Sequence, residues 1–458
     1  MLTTILFIFG ISMFRVNHTL IAMALSVISS ASFATPAKNI ILIIGDGMDD
    51  QQVTIARNYL EGPAGQLTLD KMPVRSSVAV LTVDEEDPSK PVFVADSANT
   101  ASAIATGVVT SKGRISSTAN TNKPLKTIME LAADAGIATG VVSTASVTDA
   151  TPASFLSHSK YRGCEGPNMM SASASYYGII KPRCDTDSKA NGGPGSIAQQ
   201  LVESQAQVIL GGGVKHFDQA SDSDGQHLLE KAQQAGFSVL QDSDELLNAK
   251  GTRLLGLFSP STMPVMWRGN EGRKAEFLKD NDEPFGCENE PKFDGMPTLV
   301  EMTSKALDVL ANNDKGFVLM VESASVDKQS HGRKPCGHIG EMKQLDDTLK
   351  LALAFADKHP ETLVLVTADH GHAAQIIPAQ SLFAALGSDN HSSGRVAFLK
   401  TPRGDVMAIN YATNSGEGSE EHTGVQVPLY GNAVAEGLFP SHINQPDLFG
   451  VMKAYLEL

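Results

Sequence analysis

The chain has 458 residues, of which 42% are apolar, and its formal net charge at neutral pH is -15. This length permits one large domain or two to three smaller ones. The acidic balance argues against nucleic acid as a partner, because binding to a phosphate backbone needs a basic patch. A small anionic substrate would have to be attracted by cations close to its site, since the distant charges are screened at physiological salt.

The N-terminal 34 residues are typical of an export signal. A weakly positive segment at residues 13–18 precedes an apolar run at 20–28 and a small-x-small cleavage pattern that ends at Ala34. Translation starts either at residue 1, with one unusually long signal, or at Met13. A transmembrane anchor is the weaker interpretation, because polar residues split the apolar stretch and neither part is long enough to cross a bilayer. We expect a periplasmic or secreted protein, cleaved near Ala34, without a stable membrane anchor.

Three short apolar runs, at residues 39–44, 316–321 and 362–367, read as buried parallel strands. Polar residues follow each run at once. Because ligands bind outside the carboxyl ends of the strands in an open α/β sheet, we expect these polar side chains to meet at one edge. They are Asp46 after the first run, Glu322, Asp327 and His331 after the second, and Asp369, His370 and His372 after the third.

Helical patterns alternate with the strands. Residues 124–136 have Pro near the start, apolar residues on one face and Gly at the end, and residues 297–312 and 341–358 read in the same way. A strand at 207–210 is followed by three glycines, which we interpret as a tight turn because no phosphate-loop pattern follows. The alternation predicts an α/β fold with a doubly wound, mostly parallel sheet flanked by helices.

Ser97 begins a run of small residues that ends at Gly107. This pattern predicts a tightly packed helix with Ser97 at its N-terminus, where a phosphate would meet free backbone N–H groups and the positive end of the helix dipole. For an isolated pair such as Asp96 and Ser97, helix capping would be the simpler interpretation. The potential metal ligands elsewhere in the chain favour the interpretation of Ser97 as a nucleophile. No Ser-His-Asp arrangement is evident, and a metal ion is the natural activator of a serine.

A weaker segment at residues 148–153 is followed by Arg162. Asp149 and Thr151 offer oxygen ligands at alternate positions, and a guanidinium can donate two hydrogen bonds to a phosphoryl group. Taken alone, a Thr-Pro pair is common at helix starts, and an isolated Arg is usually a surface residue. His422, in a later loop, would by itself also be a solvated surface residue.

The mixture of ligand types limits the metals that such a site can hold. Imidazole with carboxylate suits a catalytic zinc ion, whereas an all-oxygen pocket suits magnesium, and the chain offers both. The candidates are scattered from Asp46 to His422, so nearly the whole chain must close around one site. Neither an internal repeat nor a Pro/Ser-rich linker divides it. We therefore predict a single catalytic domain over residues 35–458.

The four cysteines of an exported chain indicate two disulfides. Three pairings are possible, and proximity in the sequence favours Cys164 with Cys184 and Cys287 with Cys336. The alternative is that they are inert buried thiols. Zinc–thiolate ligation is disfavoured because no C-x-x-C spacing occurs.

Six motifs, arranged in one order along the chain, together resemble those of bacterial alkaline phosphatase. They are Gly-Asp46-Gly-Met, Asp96-Ser97-Ala, Asp149-Ala-Thr151-Pro-Ala, Val-Glu322-x-Ala-Ser-x-Asp327-Lys328-Gln-x-His331, Thr-Ala-Asp369-His370-x-His372 and Glu-His422-Thr-Gly. The resemblance extends from about residue 39 to the C-terminus. It implies the three-layer sandwich of that family, and hydrolysis of a broad range of phosphate monoesters at alkaline pH through a phosphoserine intermediate.

The resemblance also implies a role for each matched residue. Ser97 would be the nucleophile, Arg162 would grip the phosphate, and Asp96 would help to orient it. Two zinc ions and one magnesium ion per chain are implied. The first zinc site would comprise Asp327, His331 and His422, the second Asp46, Asp369 and His370, and the magnesium site Asp46, Thr151 and Glu322.

Further residues match the enterobacterial-like branch of the family. Asp149 and Lys328 resemble the pair that touches the magnesium and the substrate phosphate through water, which favours magnesium at the third site. His372 would hold Asp327 instead of binding metal. Asp49 departs from the pattern, because relatives often have a small residue there, and we expect its carboxylate to lie outside the metal coordination. The family pattern supports the same disulfide pairing and implies a homodimer.

Three rival functions are disfavoured. A phosphodiesterase of the same superfamily would need room for a second ester group, and Thr151, Glu322 and Lys328 match a third metal site that belongs to monoesterases. A sulfatase would need a C/S-x-P-x-R pattern, which the residues after Ser97 lack. A protein that only binds phosphate or metal would have no need of a serine nucleophile beside two sets of zinc ligands.

Overall fold

The structure is a computed structural model that describes residues 37–171, 173, 183–278, 283–387, 393–416 and 418–458. The predicted export signal lies outside the described residues. Within them the strands are β1 (Asn39–Gly45), β2 (Val74–Ala79), β3 (Thr82–Val83), β4 (Pro91–Val92), β5 (Ala138–Ser146), β6 (Val208–Gly212), β7 (Ser238–Leu240), β8 (Leu254–Leu257), β9 (Trp267–Gly269), β10 (Glu276–Phe277), β11 (Cys287–Asn289), β12 (Phe317–Ser323), β13 (Thr362–Ala368), β14 (Gly371–His372), β15 (Gln375–Ile377), β16 (Arg395–Lys400), β17 (Val406–Tyr411), β18 (His422–Thr423), β19 (Val427–Gly431) and β20 (His442–Asn444).

Helices alternate with these strands through most of the chain. They are α1 (Asp50–Leu60), α2 (Ser97–Thr106), α3 (Ile128–Asp134), α4 (Ala150–Leu156), α5 (Ile197–Glu203), α6 (Val214–Phe217), α7 (Leu228–Gln234), α8 (Ser243–Asn248), α9 (Leu299–Leu310), α10 (Ser325–His331), α11 (Pro335–Ala356) and α12 (Asp447–Tyr455).

A sheet of ten strands forms the central layer, in the order β20-β2-β19-β13-β1-β12-β5-β6-β8-β7. The strands from β13 to β7 are parallel to one another, whereas β19 is antiparallel to both β13 and β2. The central strands β1, β12 and β13 are buried along their whole lengths, as strands covered on both faces must be. The predicted doubly wound, mostly parallel sheet is confirmed.

The carboxyl ends of the three central strands are in register. Gly45 at the end of β1 pairs with Ser323 on β12 and with Ala368 on β13. Asp46 and Asp369, the next residues of β1 and β13, therefore leave the sheet side by side. Glu322 pairs with Ile44 and so lies one residue inside the edge. This register places the acidic candidates at one rim, as the sequence predicts.

The long helix α11 begins earlier than the sequence pattern indicates. It starts at Pro335, with Pro in the first turn, whereas the periodicity predicts a start at residue 341. Gly337 and Gly340 weaken the helical pattern in the sequence. A Cβ at Gly340 would lie only 3.2 Å from the Cβ of Trp267 on β9, which is a tight contact. Close packing against β9 thus favours glycine at residue 340 despite its low helix propensity.

Two other predicted elements have different bounds. The helix expected from residue 124 begins at Ile128, because Thr127 is its N-cap and forms a capping box with Glu130. Two of the three glycines after residue 210 extend β6, and only Gly213, with a φ of 103°, turns the chain.

Both predicted disulfides are present, Cys164–Cys184 and Cys287–Cys336. The first ties the segment that follows Arg162 to a 3-10 turn, and the second ties β11 to the first turn of α11. Among the residues that the structure describes, no helix combines the length and the apolar character needed to cross a membrane.

Candidate active site

Ser97 is the first residue of α2 and is 3% exposed. Asp96 caps the helix, since its side chain accepts a hydrogen bond from the Asn99 N–H at 3.1 Å while the Asn99 side chain accepts one from the Asp96 N–H at 2.9 Å. Gly107, with a φ of 76°, ends the helix. The helix N-terminus lies at the wall of a cavity of about 880 Å³. A phosphoryl group there would face the positive end of the helix dipole.

The Ser97 hydroxyl touches a buried group of metal-ligand side chains. Its Oγ lies 3.3 Å from Asp46 Oδ1 and 3.2 Å from His370 Nε2. Asp369 completes this inner cluster of Asp46, Asp369 and His370, in which one ligand atom of each residue lies within 4.8 Å of the others. The Gly47 N–H donates to Asp369 Oδ1 at 3.0 Å and so orients that carboxylate.

A second group, the outer cluster, adjoins the first. It is formed by Asp327 and His331 of α10 with His372 and His422 of the paired strands β14 and β18. One ligand atom of each of these residues also lies within 4.8 Å of the others. The rings of His370 and His422 stack with centroids 3.7 Å apart, so the two clusters are in contact.

Backbone contacts separate the imidazoles of the outer cluster into two kinds. His331 Nδ1 faces the carbonyl of Glu420, and His422 Nδ1 lies 2.9 Å from the carbonyl of Ala95. A ring nitrogen facing a carbonyl carries the proton, which leaves a lone pair on each Nε2. These two Nε2 atoms lie 3.1 Å apart. In neutral form they would present two lone pairs to each other, an arrangement that a shared cation stabilises.

His372 has the opposite tautomer. Its Nδ1 accepts the Ala373 N–H at 2.6 Å, so the proton is on Nε2, which lies 3.1 Å from Asp327 Oδ1. His372 therefore faces Asp327 as a donor, whereas His331 and His422 present lone pairs. Asp49, the N-cap of α1, accepts the His372 N–H at 3.1 Å and belongs to neither cluster.

Burial perturbs the carboxyl groups of the site in a way that favours a bound cation. Burial raises the pKa of Asp369 to about 6, and burial together with Asp327 and Asp369 raises the pKa of Asp46 well above its ordinary range. Burial also raises the pKa of Glu322 to about 7, despite the lowering effect of Lys328. Carboxylates crowded in this way are stabilised by a nearby positive charge.

A third set of oxygen atoms surrounds Glu322. Ser143 of β5 donates to one Glu322 oxygen. Thr151 Oγ1 is buried without a well-aligned hydrogen-bond partner, although it lies close enough to Glu322 to lower the pKa of that carboxyl. Hydroxyl and carboxylate oxygens of this kind suit a hard cation such as magnesium.

Arg162 and Lys328 place two cations at the wall of the cavity. Arg162 Nη1 lies 3.2 Å from Asp96 Oδ2, and its Nη2 lies 2.9 Å from Asp149 Oδ1. Lys328 Nζ donates to Asp149 Oδ2 at 2.6 Å. Burial would raise the pKa of Asp149, but Lys328 and Arg162 outweigh it and hold that pKa far below the usual range. The Asp149 carboxylate is therefore ionised and orients both cations.

The structure brings every side chain proposed from the sequence to this one region. Sequence reasoning missed two residues that contact these side chains. Ser143 donates a hydrogen bond to Glu322, and the Thr100 hydroxyl lies 3.4 Å from Asp369 Oδ2. Thr100 stands one helical turn after Ser97, a spacing that could have indicated it. Ser143 lies within a run of small buried residues on β5 and carries no comparable signal.

Comparison with known proteins agrees with this geometry. The family model described as alkaline phosphatase matches residues 37–458. An alkaline phosphatase of Escherichia coli is 41% identical over 437 residues, which cover 92% of this chain and 87% of that protein. A streptomycin-6-phosphate phosphatase of Streptomyces griseus is 39% identical over 450 residues, which cover 95% and 94%. The structure of Thermus thermophilus alkaline phosphatase, 22% identical, matches with a TM-score of 0.69 over 92% of each chain and has the same fold.

The match to the family model covers all but the N-terminal segment, and two clusters of metal-ligand side chains lie beside a serine at a helix N-terminus. This chain therefore belongs to the alkaline phosphatase family and is an enzyme that hydrolyses phosphate monoesters.

Proposed function

We propose that the chain is an exported alkaline phosphatase with a broad range of phosphate monoester substrates, which acts at alkaline pH through a phosphoserine on Ser97. The observation that carries this proposal is the position of Ser97 Oγ, at the N-terminus of α2 and within 3.3 Å of both Asp46 and His370. Arg162 and Lys328 line the same cavity, so a phosphoryl group next to Ser97 would meet cations on its other side.

We also propose two zinc ions and one magnesium ion per chain. The fit of the donors supports this assignment, because the unprotonated Nε2 atoms of His331 and His422 converge beside Asp327 and because Thr151 Oγ1 is buried without a well-aligned partner. When bound, the zinc ions would stabilise negative charge on the attacking and leaving oxygens as Lewis acids. The proposed ligands are Asp327, His331 and His422 for the first zinc, Asp46, Asp369 and His370 for the second, and Asp46, Thr151 and Glu322 for magnesium.

The side chains of the protein have defined tasks in such a reaction. Ser97 Oγ attacks phosphorus while the bond to the alcohol oxygen breaks, and water then attacks the phosphoserine and releases inorganic phosphate. Arg162, held by Asp96 and Asp149, donates to non-bridging oxygens of the phosphoryl group, which move with phosphorus. Lys328, fixed by Asp149, adds a second positive charge at the same wall. Catalysis of phosphoryl transfer depends mainly on such positioning and charge stabilisation.

The nucleophile is tested by trapping. We expect acid quenching of the enzyme during turnover of p-nitrophenyl phosphate to leave a phosphoryl group on Ser97, identifiable by peptide mass spectrometry. Ser97→Ala should lower kcat by several orders of magnitude while inorganic phosphate still binds, since the cations of the site remain. Ser102→Ala, on the same helix but hydrogen-bonded to the Arg114 carbonyl, is the control and should retain the label on Ser97. A label on any other residue would reassign the chemistry.

A second assay separates monoester from diester hydrolysis. We expect p-nitrophenyl phosphate to be hydrolysed at least about a hundredfold faster than bis-p-nitrophenyl phosphate, because in this proposal Arg162 and Lys328, which line the cavity, bind oxygens that a second ester group would occupy. Both activities should disappear on chelation. Faster hydrolysis of the diester would contradict the proposed substrate class.

Export and dimerisation are parts of the same proposal. Two disulfides fit an oxidising compartment, and the resemblance to the family supports a homodimer. N-terminal sequencing of the protein from the culture medium or periplasm should begin near residue 35, and light scattering should give twice the mass of the mature chain. A cytosolic protein that retains residue 13, or a monomer, would contradict these two statements.

A further inference from the structure

A buried ion pair lies directly behind the outer cluster. Arg333 Nε donates to Glu420 Oε1 at 2.6 Å, and the two side chains are only 6% and 0% exposed. Neither residue is among the proposed catalytic or metal-binding groups. Because ionised groups are costly to bury, a pair this deep must gain from its local hydrogen bonds.

Glu420 anchors a loop that is otherwise near the surface. The described residues from 412 to 419 are exposed or half-buried, whereas Glu420 is fully buried. Its Oε2 accepts hydrogen bonds from the N–H and the hydroxyl of Thr413, both at 2.8 Å, and from the Asn414 N–H at 2.9 Å. Arg333 Nη2 donates to the Gly418 carbonyl at 2.5 Å. The pair thus closes the loop and fastens it to the chain that follows α10.

The backbone of Glu420 continues this contact into the outer cluster. Its N–H donates to the carbonyl of His331 at 3.1 Å, and its carbonyl accepts from His331 Nδ1. His422 is two residues beyond Glu420, and Arg333 is two residues beyond His331. The ion pair therefore joins the two segments that supply the facing Nε2 atoms, although His331 and His422 are 91 residues apart in the sequence.

The backbone conformation of Arg333 also indicates that surrounding contacts hold this residue in place. Its φ is 59°, in the left-handed region that side chains other than glycine and asparagine rarely adopt. A strained conformation of this kind persists only where surrounding contacts determine it. The Arg333 carbonyl accepts the Ala275 N–H at 2.9 Å, and its guanidinium is held as described above.

We propose that Arg333 and Glu420 are positioning residues for the outer metal site. Their ion pair holds the Nε2 atoms of His331 and His422 at a spacing that one divalent cation can bridge, and it sets the affinity of the outer site independently of the inner cluster. This inference rests on the proposed assignment of metals to the two clusters.

Zinc release measures the effect directly. The zinc-loaded enzyme is titrated with a chelator, and the two zinc equivalents per chain are followed separately for the wild type, Arg333→Met, Glu420→Gln and Arg333→Lys. Removal of partners that orient metal ligands typically weakens metal affinity about 10- to 100-fold. We therefore expect Arg333→Met and Glu420→Gln to lower the affinity for one of the two zinc equivalents, that of the outer site, by this factor. The other equivalent should be held as in the wild type. Arg333→Lys keeps the charge and should restore part of the affinity.

Two reference variants identify the site and the cause. His422→Ala, which removes a proposed ligand of the outer site, should lose the same equivalent. Arg57→Met breaks the partly buried pair that Arg57 of α1 forms with Asp70 in the 3-10 turn at Leu69–Lys71, with two hydrogen bonds of 2.7 Å, and should lower the thermal midpoint without changing zinc release. Visible absorption of the cobalt-substituted enzyme should change for Arg333→Met and not for Arg57→Met.

The outcomes are distinguishable. If Arg333→Met and Arg333→Lys lower thermal stability but release both zinc equivalents as the wild type does, the inference is wrong and the pair is only structural. Equal weakening of both equivalents, or the same weakening in Arg57→Met, would also overturn it. If the wild-type protein itself holds no zinc against the chelator, the metal assignment fails instead.

Discussion

Arg162 is held by carboxylates on two different elements before any substrate arrives. Asp96 is the N-cap of α2 and Asp149 the N-cap of α4, and each accepts one hydrogen bond from the guanidinium. A side chain that is already oriented has less conformational entropy to lose when it binds phosphate. The same two carboxylates cap their helices, so helix packing fixes the direction of the guanidinium.

Replacing Arg162 tests this role. We expect Arg162→Ala to reduce kcat/KM by about ten- to a hundredfold and to weaken inhibition by phosphate, since charged hydrogen bonds contribute about 1.5 to 3 kcal/mol. Arg162→Lys should restore only part of the loss, because a point charge lacks the planar pair of donors. Steady-state kinetics with phosphate as inhibitor provides the measurement. Lys160→Ala, which removes an exposed cation two residues away, should change neither constant; unchanged phosphate inhibition in Arg162→Ala would show that Arg162 does not bind the phosphoryl group.

The identities of the site residues were predictable from the sequence, but their protonation was not. Carboxylates and imidazoles after buried strands are visible in the residue pattern. The tautomers of His331 and His422 depend on the carbonyls of Ala95 and Glu420, which belong to backbone that any residue could supply. The same holds for Arg333, whose role depends on a contact across 87 residues of sequence.

At the scale of elements, the Cys164–Cys184 disulfide restrains the segment that carries Arg162. The two cysteines are separated by 20 residues and those of the second disulfide by 49. In the loop-entropy model, closing loops of these lengths stabilises the folded chain by about 3 and about 4 kcal/mol. Cys164 is only two residues from Arg162, the proposed phosphate ligand, so loss of this disulfide should affect function as well as stability.

We therefore expect the double variant Cys164→Ala/Cys184→Ala to be less stable by up to about 3 kcal/mol and to have a several-fold higher KM. Cys287→Ala/Cys336→Ala is the matched control, and its larger loss of stability should leave KM close to that of the wild type. Denaturant unfolding and steady-state kinetics give the two quantities. An unchanged KM in the first variant, with the expected loss of stability, would show that helix capping alone holds Arg162.

The central strands were predictable because each is a continuous apolar run between polar residues. Their relative register was not, because it is set by the pairing of β1 with β12 and with β13, which begin 278 and 323 residues after β1. The start of α11 was mispredicted for a related reason. Gly340 reads as a weak helix position, whereas in the fold it makes room for Trp267.

At the scale of the whole molecule, the metal clusters unite segments from nearly the entire chain, and their carboxyl groups make the metal-free protein sensitive to pH. The pKa of Asp369 is raised by burial from 3.8 to about 6. A raised pKa in the folded state means that the group favours folding below its unfolded pKa, near 3.8, and that this contribution is lost as the pH rises through about 6. A shift of this size corresponds to roughly 3 kcal/mol.

Chelation should therefore destabilise the protein more at pH 8 than at pH 5. At pH 8 the metal-free chain holds the buried Asp369 carboxylate ionised without a cation, whereas at pH 5, below its pKa of about 6, Asp369 is mostly protonated in the folded state. Calorimetry of the protein with and without chelator at the two pH values measures the difference. Asp369→Asn, which cannot ionise, should reduce the pH dependence of the metal-free form. An equal fall in the unfolding midpoint at both pH values would contradict this account.

The pairing of His331 with His422 also has a consequence for the time at which metal can be captured. Translation proceeds from the N-terminus, and His422 follows His370, the last proposed ligand of the inner cluster, by 52 residues. A nascent or prematurely terminated chain can hold every proposed ligand of the inner cluster and still lack one arm of the outer cluster. The same is true of a fragment cut in the exposed loop before Glu420. The proposed occupancy of the outer site would thus require a chain made at least as far as His422, and a shorter product would not acquire the full set of metals.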